Sequence, residues 1–159
     1  MAESQETTCK WTAFVSPDDT TAVELRFVEN SAMRLAPCGI QWDAVVIAPL
    51  ERGLAALDVL GLPQDEGYPV FADYYKQELI VQVRAGSAVD QFEGVQGVRP
   101  LSLGGWVMVP AKGAGTMHAA WINRPTPQAT RYVDVIALRE ALLAADRLGE
   151  PARCSAHRP

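Results

Sequence analysis

Asp43 stands at the start of the apolar run Ala44-Val45-Val46-Ile47-Ala48, just beyond the turn Pro37-Cys38-Gly39. A strand-end carboxylate is either a reactive group or an acceptor for backbone amides. The Cys38 thiol sits in the same turn, where partial exposure and a nearby helix end would lower its pKa and make it a nucleophile. No histidine lies near it in sequence to act as a base, and a buried, inert cysteine is the plainer reading. Cys154 and His157 have a workable zinc spacing, and Cys9 with Cys38 would complete a tetrahedral set, although neither remote cysteine belongs to a close pair.

Two glycine-rich stretches, Gly104-Gly105 and Lys112-Gly113-Ala114-Gly115, lack the order of a phosphate-binding GxxxxGK[ST] loop. The second lies between predicted strands and reads as a hairpin turn. Trp106, Trp121, Tyr74 and Tyr75 are the aromatics that could stack bases on an open sheet. Strand alternation assigns the tryptophans to the core, and Tyr74-Tyr75-Lys76, at a predicted hairpin tip, forms the exposed contact.

The elements that must position these groups follow from composition and pattern. With 159 residues and 48% hydrophobic content, the chain suits one domain with its own core. No window offers the roughly 20 apolar residues of a membrane span, and the first residues are polar and acidic. Three widely spaced cysteines do not form a disulfide framework, so the expected setting is a reducing cytoplasm, with no membrane association. A net charge of -5 argues against a protein built chiefly to hold phosphate backbones. The balance is uneven: residues 1–98 carry 6 Lys/Arg against 15 Asp/Glu (-9), and residues 99–159 carry 8 against 4 (+4). A local basic face is therefore compatible with an acidic protein, as are ordinary surface and helix-end arginines.

Lys10–Val15 alternates like a short strand with Trp11, Ala13 and Val15 on one face. Ser16, Pro17, Asp18 and Asp19 then signal a helix start over about 17–30, with Val23, Phe27 and Ala22 inward. The acidic pair reads as capping chemistry rather than a metal site. Trp42–Ala48 is predicted as a central strand covered on both faces. A helix over about 50–60 follows, with Leu50, Leu54 and Leu57 as its stripe and Gly61 as its left-handed cap. Strands are predicted at 69–72, 78–84, 98–101, 106–109 and 119–122. Asp134 caps a last helix over about 135–148, with Val135, Leu138, Leu142 and Ala145 inward. The fold class is α+β: a single domain with a mixed, mostly antiparallel sheet and about three helices. It is expected over residues 10–150, between a disordered tail at 1–9 and a loose tail at 151–159.

In order along the chain, Pro37-Cys38-Gly39, Trp42–Pro49, Gly53–Leu57, Leu60-Gly61 and Gly67–Val70 are followed by a strand ending at Ala85-Gly86. Gly97-Val98-Arg99, Gly104–Pro110 and Trp121 before Arg124-Pro125 complete the set. With these short motifs, spanning roughly residues 35–125, the chain resembles the N-terminal domain of bifunctional DNA primase/polymerases of the archaeo-eukaryotic type, in particular short actinobacterial proteins of that kind. The resemblance implies an α/β domain whose sheet is related to the RNA-recognition fold. It also implies, in active members, carboxylates two apart on the central strand that jointly hold magnesium ions.

Here Asp43 is followed on its own face by Val45 and Ile47, and the family's histidine is matched by the apolar Leu79-Ile80 region. The expectation is a degenerate, non-catalytic binding or regulatory module with no cofactor. In the enzymatic alternative, residual nucleotidyl transfer uses Asp43 with Asp73 or Glu78 as helpers, Arg84 or Arg99 on phosphate, and Mg2+ or Mn2+. In a third reading, the basic C-terminal part and Tyr74-Tyr75-Lys76 bind nucleic acid without chemistry. The partners these readings imply are a nucleotide, a nucleic acid or another protein.

Overall fold

The computed structural model describes residues 10–27, 32–127 and 130–149. The expected tails at 1–9 and 151–159 lie outside the described residues. Among the described residues, three α-helices, α1 (Asp19–Phe27), α2 (Leu50–Leu60) and α3 (Val135–Gly149), accompany eight strands. These are β1 (Met33–Pro37), β2 (Trp42–Ile47), β3 (Val70–Asp73), β4 (Glu78–Arg84), β5 (Val98–Leu101), β6 (Trp106–Pro110), β7 (Gly115–Thr116) and β8 (Ala119–Asn123). Six of them form one sheet in the order β5-β2-β4-β3-β8-β7, while β1 and β6 make a separate two-stranded ribbon. Every strand pair is antiparallel. This is an α+β domain.

The period of two along β2 and β4 divides the core into two layers. Val45 and Ile47 share a face with Val81, Val83 and Leu79, and this face packs against Leu54 and Leu57 of α2 and Leu138 and Leu142 of α3. Ala44, Val46 and Ile80 point the other way, into a second cluster with Phe71, Ala36, Val109 and Cys38 beneath the β1–β6 ribbon. Gly53 lets α2 approach the sheet: a Cβ there would meet the Leu79 side chain at 2.7 Å. Gly61 closes α2 in the left-handed conformation (φ 65°), its amide bonded to the carbonyls of Asp58 and Leu57.

Several local expectations are corrected. Trp11–Val15 is a 3-10 turn rather than a strand. The Asp58 carboxylate, from α2, accepts the amides of Trp11 (2.6 Å) and Thr12 (3.2 Å), so a distant residue winds this segment. The start of α1 is capped by Asp18, whose Oδ1 accepts the Thr21 amide at 2.7 Å, in keeping with the capping role read for the acidic pair. Leu25 is its buried residue, and Val23 (57% exposed) and Phe27 (83% exposed) face outward. Residues 28–30 of the expected helix lie outside the described residues. Met33–Pro37, which carried no strand assignment, is β1. The Lys112–Gly115 turn joins the ribbon to β7 of the main sheet and is not a hairpin.

Arg52 ties three elements together. Its Nε and Nη2 donate to the two carboxylate oxygens of Asp146 in α3 (2.7 and 2.8 Å), and its Nη1 donates to the carbonyls of Gln96 (2.5 Å) and Ala48 (3.4 Å). This guanidinium thereby pins the loop that delivers β5, and with it Arg99, to the helical layer. Because the pair is partly exposed, Arg52→Ala is expected to lower stability by about 1–2 kcal/mol. Urea unfolding of Arg52→Ala, Asp146→Ala and the double variant measures this, and the double variant is expected to lose less than the sum of the two single losses.

Candidate functional site

Asp43 lies on the helix-facing side of β2, across from Val83 and in line with Val45 and Ile47, and is fully buried. Its Oδ2 accepts the Ala88 amide (3.2 Å) and its Oδ1 accepts the Ser102 hydroxyl (3.0 Å). It thus fastens both connections that flank β5 to the start of β2. Cys38 is buried nearby, and that burial first, then the neighbouring Asp43, raises its thiol pKa against a lowering hydrogen bond to the Ala44 backbone. A thiol held this way stays protonated and is a poor nucleophile. Cys9, Cys154 and His157, the other members of the zinc set, lie outside the described residues. Among the described residues, no group of three or more His, Cys, Asp or Glu side chains is placed to hold a metal ion.

The opposite face of the sheet carries a cleft of about 180 Å³. It lies between the ribbon, the β3–β4 hairpin tip and β5. Its floor is Val46, Ile80 and Leu101, and one wall is the ribbon's Leu35, Trp106, Val107 and Met108. The other wall is charged, formed by Asp73, Lys76, Glu78, Arg99 and His118. A second hollow of about 260 Å³ shares Val46, Glu78 and Arg99 with it and extends to Ala48 and Gly97.

Each carboxylate in the cleft is already engaged. Asp73 is buried, and its Oδ1 accepts the amides of Tyr75 (3.0 Å) and Lys76 (2.9 Å), which shapes the hairpin tip. The same oxygen lies 4.0 Å from His118 Nδ1, and the His118 ring packs against Tyr75 with centroids 4.6 Å apart. Thr116 Oγ1 accepts the His118 amide at 3.2 Å and so holds that turn. Glu78 Oε2 faces Arg99 Nη2 at 3.8 Å; the glutamate is 18% exposed and the arginine 62%. The charges turned outward are therefore those of Lys76 and Arg99.

The structure brings together Asp73, Glu78, Lys76, Arg99 and the exposed Tyr75 from the sequence-derived set. Asp43 lies on the other side of the sheet, and Arg84 sits at the far end of β4 from Glu78, its carbonyl accepting from Ser87. Tyr74 is a correction to the exposed hairpin-tip reading: it is buried, its amide bonds to the Met117 carbonyl, and its hydroxyl donates to the Phe14 carbonyl at 3.3 Å. Trp106 is a correction in the other direction, since it was assigned to the core and is 57% exposed on the cleft wall. Trp121 is half-buried, edge-on to Phe71 with centroids 5.6 Å apart. His118 and Leu35 were not singled out. A lone histidine between two small strands gives no local cue, because its partner Asp73 is supplied by a different hairpin.

Comparison with protein-family models, curated proteins and solved structures finds no match to this chain.

Removing the Asp43 carboxylate leaves a buried amide unpaired, so Asp43→Ala is expected to cost about 2–4 kcal/mol, read as a lower urea midpoint at unchanged m-value. Burial, and then Asp18, raises the Tyr74 phenol pKa from 10.0 to about 12. The neutral phenol is the form the fold favours, so this contribution is intact below pH 10.0 and is lost as pH rises through about 12. Tyr74→Phe is expected to retain more of its neutral-pH stability than the parent across that alkaline window, measured by urea unfolding at each pH.

Proposed function

We propose that this chain is a non-catalytic, cytoplasmic binding or regulatory module on a primase/polymerase-like scaffold, and that it binds its ligand in the cleft beneath the β1–β6 ribbon. The observation that carries the reading is the orientation of Asp43, which is turned toward the helices with both oxygens bonded inside the protein. Two-metal nucleotidyl transfer needs carboxylates that converge on a shared, open position. The neighbours of Asp43 on its own face are aliphatic, and the cleft carboxylates Asp73 and Glu78 are engaged by backbone amides and by Arg99. The absence of a spanning helix among the described residues agrees with a module that does not cross a membrane by a helix.

A second reading draws on Tyr75, Lys76 and Arg99 at the cleft mouth, which offer an exposed ring beside two cations for single-stranded nucleic acid. It requires affinity that falls steeply with added salt.

Calorimetric titration with Mg2+ or Mn2+ and a nucleoside triphosphate, paired with a primer-synthesis assay, tests the leading reading. The expected outcome is neither stoichiometric metal-dependent binding nor primer synthesis. Synthesis that survives purification and disappears in Asp43→Asn, with the variant still folded, would establish the enzymatic alternative instead.

A further inference from the structure

The cleft is smaller than the ~300–1,000 Å³ common for small-molecule pockets, yet its apolar wall continues outside it. Trp106 and Leu35 are more than half exposed at the lip. At the ribbon end, Ile40 and Leu103 are also exposed, brought together where the Cys38 amide bonds to the Gly105 carbonyl and Gly39, at φ 85°, lies directly against the Leu103 backbone. A cavity of about 180 Å³ suits one inserted apolar side chain, and the exposed track beyond it suits the chain on either side.

The charges select the kind of chain. The protein carries a net charge of -5, yet at this mouth Asp73 is buried and accepts backbone amides and Glu78 is largely buried 3.8 Å from Arg99, so that Lys76 and Arg99 are more exposed than either acid. An apolar wall with a tryptophan and an arginine at its edge has the composition of a protein-interface anchor site. From this complementarity we infer that the cleft docks a peptide segment of a partner protein, with one apolar anchor side chain in the cavity and acidic residues on both sides facing Lys76 and Arg99. The inference rests on the proposal that this cleft is the binding site.

The test uses the full chain, isotope-labelled, with an acetylated nonapeptide carrying a central phenylalanine flanked by glutamates. Control peptides replace the glutamates with lysines or the phenylalanine with alanine. The Trp106 indole and the Tyr75 and Lys76 amides report by NMR. The glutamate peptide is expected to shift these signals saturably and the two controls are not, and Arg99→Glu or Trp106→Ala is expected to weaken binding about tenfold or more. Both positions are largely exposed, so the variants should keep a dispersed spectrum. Equal binding of the lysine or alanine peptide, or no effect of either variant, overturns the inference. If adenosine monophosphate or an oligothymidylate shifts the same signals and the peptide does not, the peptide is rejected while the cleft stands as a binding site. If no probe shifts them, both fall.

Discussion

The register of β2 within the six-stranded sheet is the constraint on which the rest of this structure depends. Val45 and Ile47 are sealed against α2 and α3 together with Leu79, Val81 and Val83 of β4. Full burial of each such side chain is worth about 1.5–3 kcal/mol, and a slip of one residue would turn the whole set toward the other face. No local preference of Asp43 can compete with that sum. The carboxylate is therefore carried to the helix side, and Val46, one residue off that face, goes to the floor of the cleft.

Once Asp43 is buried, its chemistry is decided by what it must avoid. An ionisable group removed from water needs hydrogen-bond partners, and the two that reach it come from Ala88 and Ser102, on either side of β5. The same residue that a metal mechanism would require exposed becomes a clasp for the connections around an edge strand. The edge strand then presents Arg99 to the opposite face, where Glu78 meets it. Buried clasp and open cleft are thus two consequences of one strand seen from its two sides.

Patterns that repeat along the chain were legible in the sequence, and contacts that close across it were not. The stripes Leu50-Leu54-Leu57 and Val135-Leu138-Leu142-Ala145 are buried as their spacing implies, and Asp134 and Gly61 cap the helices they were assigned to. Residue types alone left Asp43 either a reactive group or an acceptor for backbone amides, and it accepts one amide, from Ala88, and one hydroxyl, from Ser102. The 3-10 turn at Trp11–Val15 escaped because its cap, Asp58, lies in another element. In α1 the inward stripe is Thr21, Ala22 and Leu25 rather than Val23 and Phe27; a helix of this length admits both stripes, and only packing chooses between them. Trp106 was read as core because alternation specifies which face a side chain shares, but not whether that face has a cover.

The cover is where the cleft originates. Adjacent strands lie roughly 4.8 Å apart, so a two-stranded ribbon spans only part of a sheet of six. The chain enters the ribbon at β1, returns in β6 and leaves through the Lys112–Gly115 turn into β7, so β6 lies close to β7 and β8 and the far side of the sheet is left less covered. At that uncovered end the hairpin tip places Asp73 and Glu78 as cross-strand neighbours, and the Asp73 side chain is spent on shaping the turn. What faces an incoming molecule is an apolar ribbon wall, the exposed Lys76, and Arg99, whose guanidinium Glu78 meets from within. Topology alone would leave a gap here; the burial of the two acids turns it into a cleft whose more exposed charges are the two basic ones.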